Sequence, residues 1–159
     1  MNNAGRIDPW SSEQSTDYAR IIDKFGLSSV DSDILPEPGM LHRRGVVFAH
    51  RDLDIVLDRI HSSASFGVLT GLMRSGKMHL GHSMVIEQVR WFQEHGADVT
   101  VAVADLEALA TRETSLSLGR ETAIREYVHN YAALGLDPEK TNVYFQSSRP
   151  VVQLSLIHI

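Results

Sequence analysis

The sequence predicts an α/β fold, the first half of an open, doubly wound parallel sheet preceded by a helical N-terminal arm. Residues 66–70 and 99–104 are compact apolar runs of strand length, and the second is β-branched and nearly all apolar, as in strands buried on both faces. Each run is followed by a stretch with helical spacing that ends on a glycine, Gly96 or Gly135. Strands alternating with helices imply parallel pairing through right-handed crossovers. The arm and its helices are assigned to residues 1–65 and the half-sheet to residues 66–159.

Along the chain, residues 1–12 are polar and turn-rich. Tyr18, Ile21, Ile22 and Phe25 then recur at helical spacing until Gly26 offers a left-handed stop. Residues 27–39 contain Asp31, Asp33, Pro36 and Pro38, and the prolines forbid a helix, so this stretch reads as a linker. A brief strand is predicted at Val46, Val47 and Phe48. Leu53, Val56, Leu57 and Ile60 mark the inner face of a second helix, with Asp52 or His50 near its start. After the strand at 66–70, a loop with Gly71 and Gly76 leads into a helix marked by Leu80, Met84 and Phe92. The next long helix is expected to turn Ile124, Tyr127, Val128, Tyr131 and Leu134 inward, and residues 143–145 form the third strand. Residues 154–159 are apolar with no polar cap, which reads as a truncated next element or as a cloning scar.

Composition narrows the function classes. A hydrophobic fraction of 43% with 22% charged residues is ordinary for a globular protein. No apolar run approaches the roughly 20 residues of a membrane helix, and the N-terminus lacks a secretory apolar core, so a soluble cytoplasmic protein is expected. The absence of cysteine removes disulfides and thiolate zinc sites, leaving only His and carboxylate as metal ligands. A formal charge of −5 argues against this stretch being the main grip on a polyanion.

The loop Gly71-Leu72-Met73-Arg74-Ser75-Gly76-Lys77-Met78 runs directly into His79-Leu80-Gly81-His82 at a predicted helix N-terminus. Such an end offers unpaired N–H groups and about half a positive charge, which suits a polyphosphate, and the two loop glycines permit close backbone approach. His79 and His82, three apart, project to the same side and could both donate to phosphate oxygens. Gly81 costs a helix up to ~1 kcal/mol, which makes sense if a flat ring must lie against bare backbone. The alternative is a merely polar first turn. A metal held by both imidazoles and Asp105 is disfavoured, because the helix-borne zinc signature spaces its histidines at i and i+4, and no metal site is expected.

His79-Leu80-Gly81-His82 resembles the His-x-Gly-His signature of the class I aminoacyl-tRNA synthetases. The stretch from Leu69-Thr70-Gly71 to Lys77-Met78 resembles the archaeal type of tryptophanyl-tRNA synthetase. Residues 43–52, Ala104-Asp105-Leu106-Glu107-Ala108, residues 131–137, residues 143–147 and the opening Asp8-Pro9-Trp10 are similar to that family's other segments, so the likeness runs from about Asp8 to Gln153. The resemblance implies a Rossmann-like fold and an ATP-dependent ligase, using ATP with Mg2+, that makes tryptophanyl-adenylate and esterifies tRNA(Trp). It implies a homodimer at full length, with tRNA held mostly elsewhere. By the same resemblance, His79 and His82 are catalytic, Gly71, Ser75, Gly76 and Gly81 join them around ATP, and Thr70 and Glu107 face the amino acid. Glu107 could equally be a solvated turn residue, and Asp105 could cap that turn. Two departures stand out: Arg74 occupies a position where the family usually has proline, and the family's second, lysine-rich signature loop is not in these residues, so they are expected to be inactive alone. Other readings are a tyrosyl-tRNA synthetase, a nucleotidylyltransferase that does not use tRNA, and a catalytically incomplete synthetase-derived module.

Overall fold

The structure is a computed structural model that describes residues 18–72, 77–106 and 120–151. The chain divides into two compact units, residues 1–54 and 55–159.

In the first unit, helix α1 (Tyr18–Phe25) ends where Gly26 takes a φ of +58°, a conformation that costs glycine nothing. Strands β1 (Ser28–Ser29) and β2 (Ala49–His50) pair antiparallel, and the Tyr18 and Phe48 rings pack 4.4 Å apart. Between the strands lie a 3-10 turn (Ser32–Ile34), capped by the Asp31 carboxylate accepting from the Asp33 N–H at 2.9 Å, and a one-turn helix α2 (Met40–Arg43). The strand predicted at residues 46–48 therefore lies one step later. The amides of Val46 and Val47 donate to the Leu41 carbonyl and close the end of α2, which the left-handed Gly45 makes possible. A four-residue helix shows no periodicity, so no pattern in the chain marks α2.

Helix α3 (Leu53–His61) begins at the boundary between the units. Leu57 is buried while Val56 and Ile60 are half-buried, matching the predicted inner face. The His50 ring, not Asp52, serves its start: His50 Nδ1 accepts the Leu53 N–H at 3.1 Å.

The second unit holds the predicted parallel sheet. Strands β3 (Gly67–Leu72), β4 (Asp98–Val103) and β5 (Thr141–Phe145) lie in the order β3-β4-β5, with Val68 beside Val99 and Val101 beside Val143. Along β4 the period of two buries Val99, Val101 and Val103. Helix α4 (Leu80–Glu94) crosses from β3 to β4 and ends before Gly96, whose φ is +99°. Ile86 and Val89 of α4, Val99 and Val101 of β4, and Tyr127, Tyr131 and Leu136 make one core cluster, with Met78 packed against it just ahead of α4. Ile86, Val99 and Val101 are fully buried, each contributing about 1.5–3 kcal/mol.

The crossover from β4 to β5 is helical from Arg120, turns π-helical over Ala123–Val128 and continues as α5 (His129–Ala133). The wider π turn changes which residues face inward: Ala123, Tyr127 and Tyr131 are buried, whereas Ile124, predicted inward on an α-helical period, is 45% exposed. Polar residues of α4 staple the turn into β5. Gln93 accepts the Asp137 N–H at 2.7 Å and donates to Thr141 Oγ1 at 2.9 Å, while Arg90 donates to the Leu134 carbonyl at 3.0 Å. Gly135, with φ at +92°, makes room, because a Cβ there would sit 3.2 Å from Arg90 Cδ. No helix among the described residues is long and apolar enough to cross a membrane.

Candidate functional site

All three parallel strands end on one side of the sheet, the edge outside which ligands bind in open α/β folds. The polypeptide leaves β3 at Leu72 and re-enters described structure at Lys77, just before α4. His79 occupies the N-cap in extended conformation, with φ at −136°, and its carbonyl accepts the His82 N–H at 2.9 Å. In return His82 Nδ1 accepts the His79 N–H at 3.3 Å. One orphan donor of the helix end is thereby satisfied by an imidazole, where a capping box usually supplies a carboxylate or amide.

That bond fixes the chemistry of His82. A ring nitrogen that accepts a hydrogen bond carries no proton, so the neutral tautomer places its proton on Nε2, the nitrogen left to donate. The environment favours the neutral form as well. Partial burial holds the His82 pKa below the ordinary 6.5, and the neighbouring His79 lowers it further. The two rings lie 4.0 Å apart at 52°, and the buried Tyr127 ring of the π-helical segment stands T-shaped to His82, centroids 5.7 Å apart at 81°.

Gly81 has a visible steric reason. A Cβ at this position would lie 3.2 Å from Cε1 and Nδ1 of His79, so the bare backbone here gives the His79 imidazole its room. His79 and Gly81 are exposed and His82 half-buried, so the pair opens to solvent. Gly71 sits near the end of β3 opposite Ala102, where a Cβ would make only an ordinary 3.7 Å contact with the Ala102 carbonyl. Thr70 is half-buried in β3 beside Val101. Ser75, Gly76 and Glu107, expected around ATP and the amino acid, lie outside the described residues, as does Arg74.

Asp105 links two strand ends. Its buried carboxylate reaches across to the end of β5, accepting the Ser147 N–H at 3.0 Å and the Ser147 hydroxyl, with Arg120 Nε 3.6 Å away. Arg120 donates to Ser147 Oγ at 2.7 Å and Ser148 Oγ at 2.9 Å, and its guanidinium lies over the Phe145 ring. This network ties the ends of β4 and β5 to the start of the next helix. It has no periodicity to betray it in the sequence, and neither does the contact of Tyr127 with His82. No three His, Asp or Glu side chains among the described residues are grouped to hold a metal ion. An apolar cavity of about 80 Å³ opens elsewhere, lined by Val128, Tyr131, Leu136 and Val143 among others but by none of His79, Gly81 and His82.

A family model described as tRNA synthetases class I (W and Y) matches residues 61–156. The tryptophan–tRNA ligase of Aeropyrum pernix is 41% identical over 98% of this chain, and that of Methanosarcina acetivorans 42% over 89%. The chain spans 44% and 33% of those relatives' lengths. The crystal structure of the Aeropyrum pernix tryptophanyl-tRNA synthetase superposes with a TM-score of 0.79 at 38% identity, covering 96% of this chain and 45% of that one. The tryptophan-bound enzyme from Encephalitozoon cuniculi gives 0.72 at 28% identity, covering 83% and 42%. The parallel sheet is thus that of a known fold, and the chain belongs to the class I tRNA synthetases (W and Y).

Proposed function

We propose that the protein carrying this chain is a tryptophan–tRNA ligase, which activates tryptophan with ATP and transfers it to tRNA(Trp). The observation that carries the reading is the imidazole pair on the first turn of α4, with His82 Nδ1 held by backbone and Nε2–H left to donate. The tryptophan–tRNA ligase names of the relatives at about 40% identity support tryptophan over tyrosine.

In the first step a carboxylate oxygen of tryptophan attacks the α-phosphorus of ATP, and the bond to the leaving pyrophosphate breaks. The protein's task is to position the reactants and stabilise charge on phosphate oxygens. His82 Nε2–H and the exposed His79 ring are placed to do this, and the positive end of α4 favours the same anion. Gly81 leaves the surface beside them flat, while Gly71, Ser75 and Gly76 are assigned to the phosphates and Thr70 and Glu107 to the amino acid. Mg2+ would neutralise phosphate charge when bound. The described residues offer no cage for it. In the second step a terminal ribose hydroxyl of tRNA displaces AMP from the adenylate. The charge of −5 leaves the main tRNA footprint to other parts of the protein. The family likeness supports extending the reading to a cytoplasmic homodimer.

The complete gene product should catalyse ATP–pyrophosphate exchange with tryptophan but not tyrosine, and should charge tRNA. Exchange with tyrosine alone would make it a tyrosyl enzyme, and exchange without any charging would make it a nucleotidylyltransferase.

A further inference from the structure

Among the described residues the ring of His82 has three supports, two of them local. The backbone N–H of His79 reaches Nδ1 at 3.3 Å, the long limit of a hydrogen bond, and the exposed His79 ring lies 4.0 Å away. The third support is rigid: the ring of Tyr127, a residue only 3% exposed, stands T-shaped to the His82 ring with centroids 5.7 Å apart at 81°. An edge-to-face contact with a buried ring restricts rotation of the imidazole in a way that two exposed neighbours do not.

Tyr127 reaches this place because of the π-helical segment Ala123–Val128. Single π turns inside α-helices are rare, and their recurrence at functional sites reflects their power to re-aim one side chain without breaking the helix. Here the exception falls on the turn that faces the first turn of α4. The side-chain amide of Asn130 donates to the Glu126 carbonyl, so a backbone acceptor of the altered turn is satisfied by a side chain. Tyr131, one turn on, extends the aromatic column to 6.4 Å from Tyr127. Its hydroxyl finds no hydrogen-bond partner among the described residues, and burial raises its pKa.

We infer that Tyr127 is a positioning residue for adenylate formation: by its T-shaped ring contact it holds the His82 imidazole in the Nε2–H tautomer and orientation that donate to ATP phosphate. Tyr127 need not touch the substrate, and its hydroxyl is not required for this role. The inference rests on the proposed function, so its test has one arm that needs no activity.

In the complete gene product, Tyr127→Leu should lower kcat for tryptophan-dependent exchange at least about tenfold, with KM for ATP and tryptophan changed less than about twofold; a misplacement of a reacting group is read in kcat. Tyr127→Phe, which keeps the ring, should retain kcat within about twofold. Tyr131→Leu removes a ring from the same column without touching His82 and serves as the stability control. In this chain, 15N shifts of His82 should report predominantly the Nε2–H tautomer in wild type and Tyr127→Phe, and a mixture of tautomers in Tyr127→Leu. The inference is overturned if Tyr127→Leu keeps kcat within twofold, if Tyr127→Phe loses as much as Tyr127→Leu, or if Tyr131→Leu at equal loss of thermal stability lowers kcat equally. An unchanged tautomer ratio in Tyr127→Leu overturns it too. A wild-type gene product without exchange activity would refute the proposed function instead, leaving the tautomer measurement to judge Tyr127.

Discussion

The first turns of α2 and α4 use the same device to different ends. In each, a histidine at the third helical position turns Nδ1 back to accept the N–H of the N-cap residue, from Gly39 to His42 at 3.1 Å and from His79 to His82 at 3.3 Å. In α2 the imidazole is buried, 6% exposed, and the N-cap is a glycine with nothing to add. In α4 the imidazole is half-buried, the N-cap is a second histidine, and a glycine lets that ring fold over the helix. A histidine spaced to close a helix end is therefore a structural cap by default. It becomes a candidate for chemistry when its free nitrogen stays accessible and a second donor stands beside it.

The widest separation between the two turns should come from alanine substitutions in the complete gene product. His82→Ala or His79→Ala removes one preorganised donor to phosphate and should slow adenylate formation ~10²–10³-fold, with tryptophan affinity nearly unchanged. Single-turnover adenylate formation and equilibrium tryptophan binding measure the two quantities, and equal loss in both would reduce α4 to the structural case. His42→Ala should do the reverse. It strips a buried ring and leaves the Gly39 N–H without its acceptor, costing about 1–3 kcal/mol of stability by denaturant titration with kcat intact.

How far the sequence foretold this division depends on the range of the forces involved. The β-branched run of β4 and the glycine stops at Gly26, Gly96 and Gly135 are local signals, and the structure reproduces them. His79, Gly81 and His82 were legible for the same reason: the cap, the reciprocal hydrogen bond and the steric need for glycine all act within one turn. What escaped depends on distant partners. Val46 and Val47 have strand propensity but are taken by the end of α2, and Ile124 fits an α-helical stripe that the π segment disrupts. Asp105 looks like a turn cap, and its partners among the described residues, Ser147 and Arg120, come from other elements. Tyr127 fits a core stripe, and no pattern in the chain reveals that its ring meets the signature histidine.

Gly81 offers a finer cut, because stability and activity should move in opposite directions. Alanine in place of glycine in a helix favours folding by up to ~1 kcal/mol, so Gly81→Ala should leave the melting temperature unchanged or raise it. The added Cβ would stand 3.2 Å from the His79 ring and push it aside, lowering exchange activity on the order of tenfold. If melting and activity both stay at wild-type values, the His79 ring does not need the bare backbone.

The smallest effect tests the cap itself, through pH. Because burial and His79 hold the folded-state pKa of His82 below 6.5, the unfolded chain binds a proton here more readily than the folded one. Stability from this group is then complete above pH 6.5 and is lost as pH falls through the lower folded value. The mechanism is specific: a proton on Nδ1 would turn the acceptor of the His79 N–H into a competing donor. His82→Gln supplies an amide oxygen at the same helical position, an acceptor that does not titrate. Melting curves between pH 7.5 and roughly 5 should show wild type losing stability faster than His82→Gln as the solution is acidified. Parallel pH dependence in the two proteins would mean that His82 does not cap α4 as a neutral acceptor, and the tautomer assigned to it would fall with that result.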